Sequence, residues 1–103
     1  MNPHQRIDDW TLAMMREIVA RIDADPARSG LEKARATARR WHSQHPNRAV
    51  AEWLGLLELS WEELRPILLD EGEEGQRLRS SAPFAGILSP RERLDLFRSY
   101  RAP

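Results

Sequence analysis

The chain has 103 residues, 41% apolar and 31% charged, with 16 basic residues balancing 16 acidic ones and no cysteine. That length suits a single domain, residues 1–103, with one modest core. The absence of cysteine excludes disulfide scaffolds, thiolate metal sites and thiol nucleophiles, and indifference to redox state fits a cytoplasmic protein. No run reaches the ~18 apolar residues of a membrane span, and Asp8, Asp9, Glu17, Asp23 and Asp25 argue against a secretory signal.

No segment alternates apolar and polar residues with period two, and proline and glycine separate stretches of helix-period spacing. The expected fold is all-α, a compact bundle of five or six short helices. The first helix is expected from about Asp9 to Ala24, capped by Asp8 or Asp9, with Trp10, Met14, Ile18 and Ile22 on one face beside Met15 and Val19. Pro26 ends it by disfavouring helical backbone at Asp25. Two starts are open for the second helix: Asp25 as cap with Pro26 in first position, or a capping box over Ser29-Gly30-Leu31-Glu32. Its narrow apolar line is Leu31, Ala34, Ala38 and Trp41.

Asn47 caps a third helix to about Glu58 with Val50, Trp53, Leu54 and Leu57 on its face. Gly55 costs that helix up to ~1 kcal/mol relative to alanine, which calls for a packing reason. Ser60-Trp61-Glu62-Glu63 is a capping box for a fourth helix, kinked at Pro66 and continuing through Leu68. Asp70 is expected to cap a polar fifth helix from Glu71 to about Ser80, with Leu78 as its core residue. A loop follows from Ser81 to Leu88. Ser89-Pro90-Arg91-Glu92 then starts a last helix to about Tyr100, with Leu94, Phe97 and Tyr100 on one side and Leu96 beside them.

The zero net charge conceals blocks. Residues 26–48 carry six cations against Glu32, residues 49–76 eight acids against Arg65, and residues 77–103 six arginines against Glu92 and Asp95. The plainer reading is mutual attraction within the fold. The other is a two-signed surface that steers a partner. Fifteen of the sixteen cations are arginine, the residue suited to bidentate contact with carboxylate or phosphate.

Chemistry-bearing constellations are sparse, and a non-enzymatic protein without metal or cofactor is expected. His42 and His45, with His4 elsewhere, lack a local third ligand and read as surface histidines. Glu62-Glu63 and Glu73-Glu74 fall in first turns of predicted helices, where negative charge suits the dipole. No phosphate-cradling glycine loop and no Ser/His/Asp arrangement stands out. Arg35, Arg39 and Arg40 form the best nucleic-acid candidate, a basic helix side able to track phosphates, although the next segment is acidic. Of the four tryptophans, Trp10, Trp41 and Trp53 fall on apolar stripes, whereas Trp61 is the one expected at the surface, as an interface anchor.

The segment from Arg77 to Arg93 (RLRSSAPFAGILSPRER) reads as a helix ending in two hydroxyls, an ordered loop and a firmly capped helix. One reading is a structural corner with Phe84 and Ile87 plugging the core. The other is a preorganised loop presenting Phe84 and its flanking arginines. Together with Asp25-Pro26, Trp41 and Trp53-Leu54-Gly55-Leu56-Leu57, it resembles a group of small bacterial helical proteins carrying a pattern like RLRxSSPFAGxLxPxER. The chain departs from that pattern at Ala82, where the pattern has serine, which puts loop hydrogen bonding in doubt.

The resemblance implies an antitoxin-like or chaperone-like member of a toxin–antitoxin pair, a protein-binding module that neutralises a partner enzyme, kinase-like or nucleotidyltransferase-like. On that expectation Trp61 and Phe84 anchor, Arg77 and Arg79 pair with acidic or phosphate-site groups, and Ser80, Ser81 and Pro83 complete the contact. The acidic 62–74 stretch would mimic a nucleic-acid or nucleotide substrate. The competing expectation is a helical nucleic-acid-binding transcriptional regulator using Arg35, Arg39 and Arg40.

Overall fold

A computed structural model describes the backbone of residues 3–101 and the side-chain surroundings of residues 9–84 and 86–99. Its elements are α1 (Pro3–Ala24), α2 (Ser29–Gln44), α3 (Arg48–Leu56), α4 (Trp61–Leu68), α5 (Glu73–Arg79), a 3-10 turn (Ala85–Ile87) and α6 (Pro90–Arg101). The described residues contain no strand, and the chain is the all-α bundle its periodicity predicts. The side chains of His4, Asp8 and Tyr100 lie outside those described.

α1 begins six residues before the expected Asp9, at Pro3, whose fixed φ and missing N–H suit a first helical position. Asp8 and Asp9 therefore lie within the helix and do not cap it. Met15, Ile18, Val19 and Ile22 form its buried stripe. α1 stops at Ala24, as Pro26 dictates.

Neither expected start of α2 is the one adopted. Its N-cap is Arg28, in left-handed backbone at φ 53°, ψ 42°, so Ser29 makes no capping box. Asp25 instead folds the connection, its carboxylate accepting the backbone N–H groups of Ala27 at 3.0 Å and Ser29 at 2.8 Å. The Arg28 guanidinium turns back to donate to the carbonyls of Ile22, Asp23 and Asp25 at 2.8, 3.0 and 3.2 Å. Those contacts satisfy acceptors that the end of α1 leaves open.

Leu31, Ala34 and Ala38 of α2 are buried, and the small alanines let the neighbouring helices approach. The Asn47 cap is present, accepting from the Val50 N–H at 3.0 Å, and α3 ends at Leu56, two residues before the expected Glu58. Trp53 is the centre of the core: its indole donates to the Leu78 carbonyl at 3.2 Å and to Ser81 Oγ at 3.3 Å. Phe84 meets it edge to face, with ring centroids 5.8 Å apart at 70°. The corner reading of Ser81–Leu88 fits this geometry, since Phe84 and Leu88 are each 1% exposed.

Ser60 forms both halves of its capping box with Glu63, and α4 continues past Pro66 to Leu68. α5 starts at Glu73 with Gly72 as N-cap, two residues later than expected. Asp70 does not cap it but closes a turn, accepting from the Gly72 N–H at 2.9 Å. Gly75 is buried against the Asp70 carbonyl, which a β-carbon there would overlap.

α6 opens as its sequence dictates. Ser89 Oγ accepts from the Glu92 N–H at 3.1 Å, and Glu92 accepts from the Ser89 N–H at 2.9 Å. The helix lies antiparallel on α1, held at one end by the Arg21–Glu92 ion pair and at the other by Trp10 against Phe97. Leu96 packs on the core, but Leu94 and Phe97 do not enter it.

Candidate protein-interaction surface

Several residues expected at a partner contact are inside the fold. Trp61 is 5% exposed, contrary to its expected surface position. Its ring packs into the core while its indole donates to Asp23 Oδ1 of α1 at 2.8 Å. Arg65, one turn later, adds its own bonds to the same carboxylate at 2.9 and 3.1 Å. These donors, Arg65 first and Trp61 next, hold the Asp23 carboxyl below the usual carboxylate range, and Asp23 in turn raises Arg65.

Arg79 is likewise buried, donating to the carbonyls of Leu68 at 3.1 Å and Asp70 at 2.5 Å. It ties α5 to the end of α4. Pro83 and Phe84 are buried, so the loop presents neither. Three of the expected contact residues stay accessible. Ser80 is exposed with its hydroxyl donating to the Arg77 carbonyl, and Ser81 is half-buried under Trp53. Arg77 is exposed but forms a two-pronged pair with Glu52, both distances 2.8 Å, and a second pair with Glu74. Arg77 depresses both carboxyl groups, and they raise Arg77 well above its ordinary value.

A shallow groove of about 330 Å³ gathers Ser80 and Ser81 with Trp41, His45 and Val50 beside the first turn of α3. A second depression of about 500 Å³ is bordered by Arg35 and Arg39 of α2 and by Leu54 and Leu57 at the end of α3. Arg35 is committed there to the Leu57 carbonyl at 2.9 Å and to Glu32. Among the described residues, no group of three histidines, aspartates and glutamates is placed to hold a metal ion. No helix among them is long and apolar enough to cross a membrane.

The arginines divide into two sets. Arg16, Arg21, Arg28, Arg35, Arg65, Arg77 and Arg79 all bond within the fold. Arg77–Glu52 joins opposite charge blocks, and Arg16 of α1 pairs with Glu71 of the acidic block. Among the described residues, Arg39, Arg40 and Arg48 stand outside any ion pair, and so do Arg91, Arg93 and Arg98 of α6. In the acidic block 49–76, Glu52 and Glu74 bind Arg77, Glu71 binds Arg16, Glu63 serves the α4 cap and Asp70 the turn before α5, which leaves Glu58, Glu62 and Glu73 exposed and outside any ion pair among the described residues.

The α6 group differs from the α2–α3 group in one respect. Leu94 and Phe97, 44% and 39% exposed, are the exposed large hydrophobic residues of the described chain, and both lie on α6. The sequence puts them on one side of the helix with Tyr100, and the seating of α6 through Glu92 and Leu96 turns Leu94 outward and leaves Phe97 at the boundary against Trp10.

The chain matches no family model, no curated protein and no solved structure.

Proposed function

We propose that the protein is a non-enzymatic binding module, antitoxin-like or chaperone-like, that holds and neutralises a partner enzyme encoded beside it. The observation that carries this reading is the α6 edge, where Leu94 is exposed, Phe97 lies at the boundary against Trp10, and the neighbouring arginines stand outside any ion pair among the described residues. An apolar side chain beside unpaired cations offers a partner both a surface to bury and charges to pair. The exposed Glu58, Glu62 and Glu73 give a second, acidic surface suited to a basic substrate cleft. The resemblance in the C-terminal motif adds the toxin–antitoxin context and a kinase-like or nucleotidyltransferase-like partner in the cytoplasm. Trp61, Arg79, Pro83 and Phe84 act in this reading by shaping the module, whereas Arg77, Ser80 and Ser81 remain available at its surface.

Co-expression with the product of each adjacent gene tests it. A stable complex in size-exclusion chromatography with light scattering, together with suppression of that product's toxicity, is the expected result. Separate elution of every pair with undiminished toxicity overturns it.

A second reading has its own observation: Lys33, Arg39 and Arg40 are exposed along α2 and outside any ion pair. A regulator using that face binds duplex with an affinity that falls by a log–log slope of about −0.9 per phosphate contact as salt rises. Fluorescence anisotropy with a labelled duplex at low salt, for the wild type and Arg39→Glu/Arg40→Glu, decides it. Unchanged anisotropy eliminates the regulator.

A further inference from the structure

The exposed side of α6 carries the positions of one coiled-coil heptad, with Phe97 at its margin against Trp10. Placing Leu94 at heptad position a puts Phe97 at d, Arg91 and Arg98 at e, and Arg93 at g. Arg91 and Arg98 are seven residues apart, about 10.5 Å along the axis, with Leu94 between them. Of these residues, Leu94, Phe97, Arg91 and Arg98 are exposed and Arg93 half-buried. None of the three arginines has an ion pair among the described residues. In such a seam the e and g residues select the partner and its orientation. We infer that α6 docks a partner helix that is amphipathic and acidic, with leucine-like residues on its seam and glutamate or aspartate at its flanking positions. This inference rests on the protein-binding reading and names the surface and the partner chemistry for it.

Two alternative occupants fit less well. A second copy pairing α6 on α6 would set arginine flanks against arginine flanks, which is repulsive. A membrane surface would meet only two apolar side chains, with Asp95 exposed on the same helix and Leu96 turned to the core. That is little area for a binding mode whose strength scales with apolar burial.

The test uses the full chain and two synthetic helical peptides with leucine at a and d, one carrying glutamate at e and g and the other lysine. Nitrogen–proton correlation spectra follow each titration. The Glu peptide is expected to shift α6 amides and the Trp10 indole, which sits edge-on to Phe97, 5.8 Å between centroids. The Lys peptide is expected to leave them in place. Arg91→Glu/Arg98→Glu should weaken the Glu peptide by about tenfold or more and confer binding of the Lys peptide. Both positions are exposed, and glutamate in the first turn at residue 91 suits the helix dipole, so the fold is retained. Leu94→Ser should weaken the Glu peptide without reversing the charge preference.

Equal response to both peptides, or shifts confined to other elements, overturns the inference. So does binding of phosphatidylserine vesicles that Leu94→Ser abolishes, which would identify a membrane face. A dimer that Leu94→Ser dissociates would identify a second copy and overturn it as well. An adjacent-gene complex that Arg91→Glu/Arg98→Glu leaves undiminished overturns the docking face while the protein-binding reading stands.

Discussion

Two glycines make opposite demands on their helices. Gly55 of α3 has open space where a β-carbon would go, so the packing reason expected for it is absent. Gly55→Ala should therefore stabilise the protein by about 0.5–1 kcal/mol, raising Tm by some 4 °C per half to one kcal/mol. Gly75 has the Asp70 carbonyl against it, and the backbone cannot yield without moving the α4–α5 connection. Gly75→Ala should destabilise by about 2 kcal/mol or more, read as a lowered urea midpoint. Arg79 is the third residue whose role depends on one position. Its charge-assisted bonds close the end of α4, so Arg79→Met, which keeps the aliphatic bulk, should cost about 2–3 kcal/mol by orphaning buried carbonyls. A variant as stable as the wild type would show that those carbonyls find water instead.

At the scale of elements, the caps of α3, α4 and α6 were legible in the sequence, whereas those expected at Asp8 or Asp9, at Asp25 or Ser29 and at Asp70 were not the ones adopted. Asn47, Ser60 and Ser89 bond to groups three residues on, so the whole interaction lies inside a short window of sequence. The all-α class was legible for a related reason, since helix-period stripes such as Met15, Ile18, Val19 and Ile22 leave their mark locally. Trp61 was not legible, because its burial depends on Asp23, 38 residues away. The start of α5 was missed because Asp70 and Gly75 act on each other through a turn, and which residues of α6 face water is set by how α6 seats on α1.

The Asp23–Trp61–Arg65 junction that joins α1 to α4 also sets a pH dependence. A carboxyl held below its unfolded pKa of about 3.9 stabilises fully above that value, and the contribution vanishes as pH falls through the lower folded value. Thermal melts from about pH 7 down to about pH 2 should show stability falling below about pH 4. Asp23→Asn should lower Tm at neutral pH and make that acid limb shallower. An unchanged acid limb would show that Glu52, Glu74 or Asp25, whose carboxyls are also depressed, carry it.

Over the whole molecule, one core cluster runs through α1–α5 and the Phe84–Leu88 corner, with α6 laid across its side. Opposite charge blocks meet in surface pairs such as Arg77–Glu52, which add little stability one by one but fix which cations remain unpaired. The candidate site was only partly legible for that reason. Sequence identifies arginines, but tertiary pairing decides which are available. Of the residues expected at a contact, Trp61, Arg79, Pro83 and Phe84 build the scaffold, and the proposed docking surface lies further along, on α6. Hydrogen–deuterium exchange of the full chain, alone and in complex with its adjacent-gene partner, tests this most directly. New protection concentrated at residues 91–98, with the 77–84 segment unchanged, is the predicted result. Protection of 77–84 with α6 exchanging as in the free protein would contradict it.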